Sequence, residues 1–348
     1  MKLEFDILPL QTRHDFNIAR AAAPPARRNV WVRVIDDGGL EGWGEAAPNA
    51  FYAESADTVA EVLPVYARVL NDVGVDEAEE IERRLLHAAP SLHAKYPPHP
   101  SARSAISAAI LDLLSKRAGL PAWKYVGLED RSVASSFTIG IDNLEVMREK
   151  TRAAKSYQIL KIKVGTPDDE RILAMLREEV PNARIRVDAN TAWSAAQTIE
   201  YLPLMQQYGI ELIEQPVPAD DYDGLRAVTE ASPIPIIADE SCRIANDVEK
   251  LAGCVDGVNI KMAKCGSVWE AIRIAQAARD HGMQVMFGCM IESTLGIAAA
   301  IQMCSLMDYV DLDGAALLRD DPFTGPHIDE TGNVVYNQEP GLGVERRT

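Results

Sequence analysis

From residue 133 onward the chain repeats one pattern eight times, a short apolar run of strand length followed in most cases by a segment with room for a crossover helix. The runs are 133–139, 159–164, 184–188, 212–215, 236–239, 257–261, 284–287 and 309–312, and helix-length segments include 168–179, 194–208 and 268–281. Parallel strands need long crossovers, usually helical, so this alternation predicts an α/β fold, a modified (β/α) barrel of TIM type. Catalytic groups in such a barrel stand at the C-terminal strand ends and in the loops that follow them.

At 348 residues the chain exceeds what the barrel needs. Residues 2–10 and 30–35 alternate apolar and polar positions, and the turn Asp36-Asp37-Gly38-Gly39 leads into Glu41-Gly42-Trp43-Gly44-Glu45, which together predict a small antiparallel sheet. Over 55–86 and 101–118 the apolar spacing changes to three and four, with Asp57 and Ser101 as N-caps and Gly119 as a C-cap. The expected organisation is an N-terminal α+β capping domain over 1–120, the barrel over 121–323, and a segment 324–348 that packs back on the capping domain. The Pro- and His-rich stretch between 86 and 101 reads as a loop, its His87, His93 and His99 as surface residues.

Acidic residues outnumber basic ones by 52 to 35, a net charge of −17, and no Lys/Arg run forms a phosphate-tracking stripe, which argues against nucleic acid as a partner. The five cysteines are odd in number and form no CxxC pair, as in small core residues of a reduced compartment, and they give zinc no support. Acids fall inside Met1-Lys2-Leu3-Glu4-Phe5-Asp6, where a signal peptide would be apolar, and no run reaches membrane-spanning length. A soluble cytoplasmic protein with no membrane association is expected.

Against the apolar strands, several charged residues are out of place. Lys161 and Lys163 lie two apart, so they share one side of a strand whose other side holds Leu160, Ile162 and Val164. A closed barrel has no edge at which to solvate them, although internal ion pairs also place charge inside. Asp188 and Asn190 repeat the same-side spacing on the next run, and Glu214 and Asp239 follow, each about one strand-plus-helix unit on. Three carboxylates at equivalent heights would repel one another, which a divalent cation resolves. Oxygen ligands without His or Cys favour Mg²⁺ or Mn²⁺. Salt bridges to Lys163 and Lys261 are the alternative, with three acids to two lysines. Lys261 falls across the barrel from Lys163, whereas Lys264 lies beyond the strand and reads as a loop or helix-start residue. A lysine must be lowered from about 10.4 to roughly 7–8 to act as a base at neutral pH, and a nearby cation does this.

Taken together, Lys161-Ile162-Lys163-Val164-Gly165, Arg186-Val187-Asp188-Ala189-Asn190, Ile213-Glu214-Gln215-Pro216, Ala238-Asp239-Glu240-Ser241 and Asn259-Ile260-Lys261 resemble, in order, the muconate lactonizing enzyme subgroup of the enolase superfamily. That resemblance implies Mg²⁺ held by Asp188, Glu214 and Asp239, with Lys163 and Lys261 as acid/base partners on opposite faces of an enolate and Lys161 supporting them. Asp311-Leu312-Asp313-Gly314 resembles the DxD motif of dipeptide epimerases, which binds the substrate's α-ammonium group; a turn cap is the plainer reading. Gly288-Cys289-Met290-Ile291-Glu292-Ser293 resembles the segment lining the substrate's carboxylate end, which brings in Cys289 and Ile291, and Thr138 matches another substrate-side position. Phe16-Asn17-Ile18-Ala19-Arg20 resembles the loop whose basic residue meets the acidic side chain of Ala-Glu substrates, with Arg27 and Arg28 as surface alternatives. The adjoining loop 21–25 is expected to move. Ser267 departs from a glycine common in the family.

The resemblance therefore implies a Mg²⁺-dependent dipeptide epimerase performing 1,1-proton transfer at the α-carbon of the C-terminal residue, with L-Ala-D/L-Glu as one candidate substrate. N-succinylamino acid racemase, o-succinylbenzoate synthase and muconate cycloisomerase are rivals within the superfamily, and their substrates bring no free ammonium to Asp311 and Asp313. A Schiff-base aldolase would not need the three acids, and a non-catalytic peptide-binding barrel is the alternative from another class. The expected partners are a small dipeptide and further copies of the chain.

Overall fold

A computed structural model describes residues 1–20, 26–72 and 78–347. The loop 21–25 expected to move lies outside the described residues.

Strands β1 (Lys2–Gln11), β2 (Ala26–Ile35) and β3 (Glu41–Ala46) form an antiparallel sheet in that order. Helices α1 (Ala56–Asn71), α2 (Ala78–Ala88) and α3 (Pro100–Ala118) pack against it. Helix α1 starts two residues earlier than expected: Ser55, not Asp57, is the N-cap, exchanging hydrogen bonds with Thr58 in a reciprocal capping box. Helix α3 starts at Pro100, whose missing N–H suits a first turn, so Ser101 lies inside the helix. His99 precedes it in a left-handed conformation and is buried, contrary to the surface position expected of it, because helix entry here runs beneath α1. Gly119 closes α3 with φ +67° as expected.

Helix α3 is buried on nearly every side because it lies between the sheet and the barrel, with Ala102, Ala105 and Ile106 in the capping core and Ala108 and Leu111 in the barrel core. Its small residues permit very close approach to β3. A Cβ at Gly42 would sit 1.9 Å from the Ala109 carbonyl oxygen, and one at Gly44 would sit 2.0 Å from that of Ala105.

After α4 (Ala122–Tyr125) come eight parallel strands with helices outside them: β4 (Phe137–Ile139), α5 (Leu144–Ala153), β5 (Ile159–Lys163), α6 (Asp169–Glu179), β6 (Arg184–Asp188), α7 (Ala195–Gln207), β7 (Ile210–Glu214), α8 (Tyr222–Ala231), β8 (Ile236–Ala238), α9 (Ala245–Leu251), β9 (Gly257–Ile260), α10 (Met262–Cys265), α11 (Val268–Asp280), β10 (Gln284–Gly288), α12 (Thr294–Ile301) and β11 (Tyr309–Asp311). The strands are ordered as in the chain, and the Ser135–Val310 bridge brings the first and last together into a nearly closed barrel. Leu212, Ile237 and Met286, with Tyr309 against them, fill the barrel interior below its mouth. The strand-facing sides of the helices meet a continuous apolar layer that includes Leu160, Ile162, Val187 and Ile213.

The C-terminal segment touches both domains. Gly332 accepts from Ser135 N at 2.7 Å and Glu330 from Ser156 at the barrel, while Leu342 N donates to Asp112 of α3 at 2.7 Å and Arg346 stacks on Trp31. Among the described residues no helix is long and apolar enough to cross a membrane.

Candidate active site

Strand alternation turns Leu160 and Ile162 of β5 toward the helices and Lys161 and Lys163 into the barrel mouth, where both lysines are buried. Lys163 Nζ lies 2.6 Å from Asp188 Oδ2. Lys161 Nζ lies 2.8 Å from Asp311 Oδ2, 3.1 Å from Asp188 Oδ2 and 2.6 Å from Glu214 Oε2. Burial would lower Lys161, but these three carboxylates outweigh it and hold the lysine well above its ordinary range.

Asp188 pairs in register with Glu214, so those two stand level, but Glu214 pairs with Ile237. Asp239 is thus two residues farther out along its strand than the equal heights expected from the sequence, a consequence of the stagger that barrel closure imposes. All three acids are buried. Burial would raise Asp188, yet Lys163 and Lys161 hold it below the usual carboxylate range. Glu214 moves the other way, raised by burial and by Asp188, and Asn259 Nδ2 donates to its Oε1 at 2.9 Å.

Lys261 follows β9 and reaches Asp239 Oδ2 at 2.8 Å. Asp239 and Glu214 overcome the burial that would lower Lys261 and raise it instead. Gly288 makes room for its stem, since a Cβ there would lie 2.9 Å from Lys261 Cε. Lys264 is deeply buried, with its ammonium 2.6–2.9 Å from Asp239 Oδ1 and from the carbonyls of Asp239, Cys242 and Asn259. Those four acceptors make it a cross-link between strand ends.

On the far side, Asp311 takes Lys161 and the Ser136 hydroxyl at 2.6 Å, and Lys161 keeps it below the ordinary carboxylate range despite burial. Asp313 accepts from Thr138 N at 2.5 Å and pairs with no ammonium among the described residues; burial and the Asp311 charge raise it. Cys289 borders Gly314 beside this pair, with Sγ 3.2 Å from the Cβ position of that glycine. Ile291 is buried, and its carbonyl accepts from Asn29 of the capping sheet at 2.9 Å. Arg20 forms an ion pair with buried Glu240, donates to the Asn190 carbonyl at 3.1 Å and stacks over Phe51, 4.2 Å from the ring centre.

Sequence reasoning gave no role of their own to Glu240, Asn259 or the capping-domain Glu45. Glu240 was visible only as the residue after Asp239. Glu45 sits in the Gly-rich strand β3 and accepts hydrogen bonds from Ser293 N, at 3.1 and 3.2 Å, from the Ser293 hydroxyl and from Asn29 at 2.6 Å, tying the capping domain to the start of α12. Neither has a spacing signal, because each acts across two distant segments.

The mouth is rich in oxygen acceptors and short of donors. Asn190 Oδ1, Asn259 Oδ1 and Glu240 Oε2 are buried without a hydrogen-bond partner, and Glu214 Oε2, although close to Lys161, is not aligned for one. Among the described residues no three acids converge closely enough to chelate an ion as they stand, since Asp188 and Asp239 are each turned onto lysines. The donor set itself, carboxylates from three successive strands with amide oxygens beside them, suits a hard divalent cation such as Mg²⁺.

The chain matches two family models, one described as the N-terminal domain of mandelate racemase / muconate lactonizing enzyme, over residues 5–127, and one as enolase C-terminal domain-like, over residues 145–348. An L-Ala-D/L-amino acid epimerase of a Maribacter species is 35% identical over 348 residues, covering 99% of both chains. Among solved structures, a dipeptide epimerase from Enterococcus faecalis, in complex with Mg and L-Leu-L-Tyr, superposes with a TM-score of 0.91 at 31% identity and covers 99% of this chain and 98% of that one. A substrate-liganded L-Ala-D/L-Glu epimerase from Bacillus subtilis gives 0.92 at 29% identity, with 99% of each chain covered.

Proposed function

The chain belongs to the mandelate racemase / muconate lactonizing enzyme family of the enolase superfamily, and we propose that within it the protein is a Mg²⁺-dependent dipeptide epimerase. It is an isomerase of the racemase/epimerase type, like the relatives that align with 99% of this chain. The observation that carries the finer reading is the placement of two buried lysines, Lys163 and Lys261, on strands four apart in an eight-stranded barrel, with Asp188, Glu214 and Asp239 on the strands between.

In this reading Lys163 and Lys261 address the α-carbon of the C-terminal residue from opposite sides, one taking the proton and the other returning one to the opposite face. Asp188, Glu214 and Asp239 would hold Mg²⁺, which when bound supplies a fixed divalent charge beside the substrate's carboxylate and takes the acids' charge off the lysines. Lys161, held by three carboxylates, stays protonated and serves as a fixed positive charge. Asp313, with no ammonium of its own, takes the substrate's α-ammonium group, and Asp311 and Thr138 orient it. Cys289 and Ile291 line the pocket beside that pair. An N-acylated amino acid would leave Asp313 uncompensated, which disfavours the N-succinylamino acid racemase reading.

Chiral separation of L,L-dipeptides incubated with the protein and Mg²⁺ tests this. Conversion at the C-terminal residue alone is expected. No conversion across a broad dipeptide set, with N-succinylamino acids racemised instead, would replace it with the rival reading.

A further inference from the structure

In each of the three mouth acids, one carboxylate oxygen is tied to a donor that the fold itself fixes. Asp188 Oδ1 accepts from Asn190 N at 2.9 Å, Glu214 Oε1 from Asn259 Nδ2 at 2.9 Å, and Asp239 Oδ1 from Lys264 Nζ at 2.6 Å. The first donor is a backbone N–H. The second belongs to a fully buried amide packed closely on Gly288, where a Cβ would come within 2.9 Å of both its polar atoms. The third is buried as well, and its ammonium also donates to the carbonyls of Asp239, Cys242 and Asn259 at 2.6, 2.9 and 2.8 Å. With four acceptors around it, Lys264 is held to the ends of two neighbouring strands.

The other three oxygens are of a different kind. Asp188 Oδ2 faces Lys163 at 2.6 Å, Asp239 Oδ2 faces Lys261 at 2.8 Å, and Glu214 Oε2 is buried with no aligned donor. The mouth therefore offers one exchangeable oxygen from each carboxylate. Ca²⁺ gathers about six to eight oxygens and commonly takes a carboxylate through both of its own, whereas Mg²⁺ keeps a near-octahedral shell that water and substrate complete. A carboxylate with one oxygen already engaged cannot chelate. That restriction costs Ca²⁺ ligands and leaves Mg²⁺ unaffected.

We infer that Lys264 and Asn259 are positioning residues that limit Asp239 and Glu214 to one oxygen each and so make the site select Mg²⁺ against Ca²⁺. The inference rests on the metal site of the epimerase reading and adds the residues that set its ion selectivity. Isothermal titration of the metal-stripped full-length protein with MgCl₂ and with CaCl₂ tests it, since the ratio of the two dissociation constants is read without turnover. Wild type should bind Mg²⁺ at least about tenfold more tightly than Ca²⁺. Asn259→Leu frees Glu214 Oε1 without changing the charge, and Lys264→Met frees Asp239 Oδ1. Each should move the ratio about tenfold or more toward Ca²⁺, the scale on which groups behind a metal ligand tune affinity. The positive charge lost in Lys264→Met strengthens both divalent ions alike and leaves the ratio alone. Should either variant fail to fold, the other decides. An unchanged ratio in the folded variants, or a wild type that binds Ca²⁺ as tightly as Mg²⁺, overturns the inference while the epimerase reading stands. A wild type that binds neither ion removes the metal assignment and the inference with it.

Discussion

Lys163 and Lys261 stand on the second and sixth strands of an eight-stranded barrel, and each is hydrogen-bonded to a different acid, Asp188 at 2.6 Å and Asp239 at 2.8 Å. Opposed placement makes the two bases separable by stereochemistry. Lys163→Ala and Lys261→Ala should each reduce epimerisation by about 10²–10⁴-fold. Each variant should still exchange the α-proton of the one epimer that faces its remaining lysine, as read by NMR of each pure epimer in deuterated buffer. Loss of exchange from both epimers in either variant would mean that the lysines do not act independently.

Among the described residues Asp313 has no positive partner, whereas Asp311 has Lys161. Asp313→Asn should therefore raise KM for a dipeptide with a free ammonium by about 10–100-fold, the value of a charge-assisted hydrogen bond of roughly 1.5–3 kcal/mol. The thermal midpoint should change little, because the carboxyl is already raised toward its neutral form. An unchanged KM would place the ammonium elsewhere.

The barrel and its charged strand ends were legible in the sequence because strand alternation is strict. Lys161 and Lys163 had to share a side, and a closed parallel barrel offers one polar place for them. Relative heights were not legible, since Asp239's offset arises from strand stagger that no local pattern encodes. The partners of Arg20 were hidden for a different reason: Glu240 is 220 residues away. The N-cap error at α1 was local: Asp57 was named where Ser55, two positions earlier, is the cap, and Ser55 has a hydroxyl-bearing residue three positions on, which Asp57 lacks.

Glu292 is buried near Glu45 with no ion pair among the described residues, and burial together with the Glu45 charge outweighs the more distant Lys261 and pushes it up to about 8 from 4.5. Between those values the folded state binds more protons at this site than the unfolded state does, so its contribution to stability is fully present below about pH 4.5 and declines as pH rises toward 8. The slope from one such group reaches about 1.4 kcal/mol per pH unit. Urea unfolding of wild type and Glu292→Gln from pH 5 to 8 should show a wild-type stability that falls more steeply, with the two curves diverging as pH rises. Parallel curves would mean that Glu292 is ionised throughout.

Gly42→Ala and Gly44→Ala should each destabilise the protein by about 1–3 kcal/mol or more, because the added methyl meets a backbone carbonyl of α3 rather than a movable side chain. Both glycines lie away from the mouth, so activity of the folded fraction should persist. Wild-type stability in either variant would contradict the close sheet–helix contact.

The proposed reaction is proton exchange at the α-carbon of the dipeptide's C-terminal residue between two lysines. Its most direct measurement is mass spectrometry of an L,L-dipeptide held in deuterated water with the protein and Mg²⁺, following isotope content and stereochemistry together. One deuterium should enter at that carbon as the epimer appears. Epimer formation without deuterium, or deuterium at any other carbon, would rule out proton exchange between the two lysines.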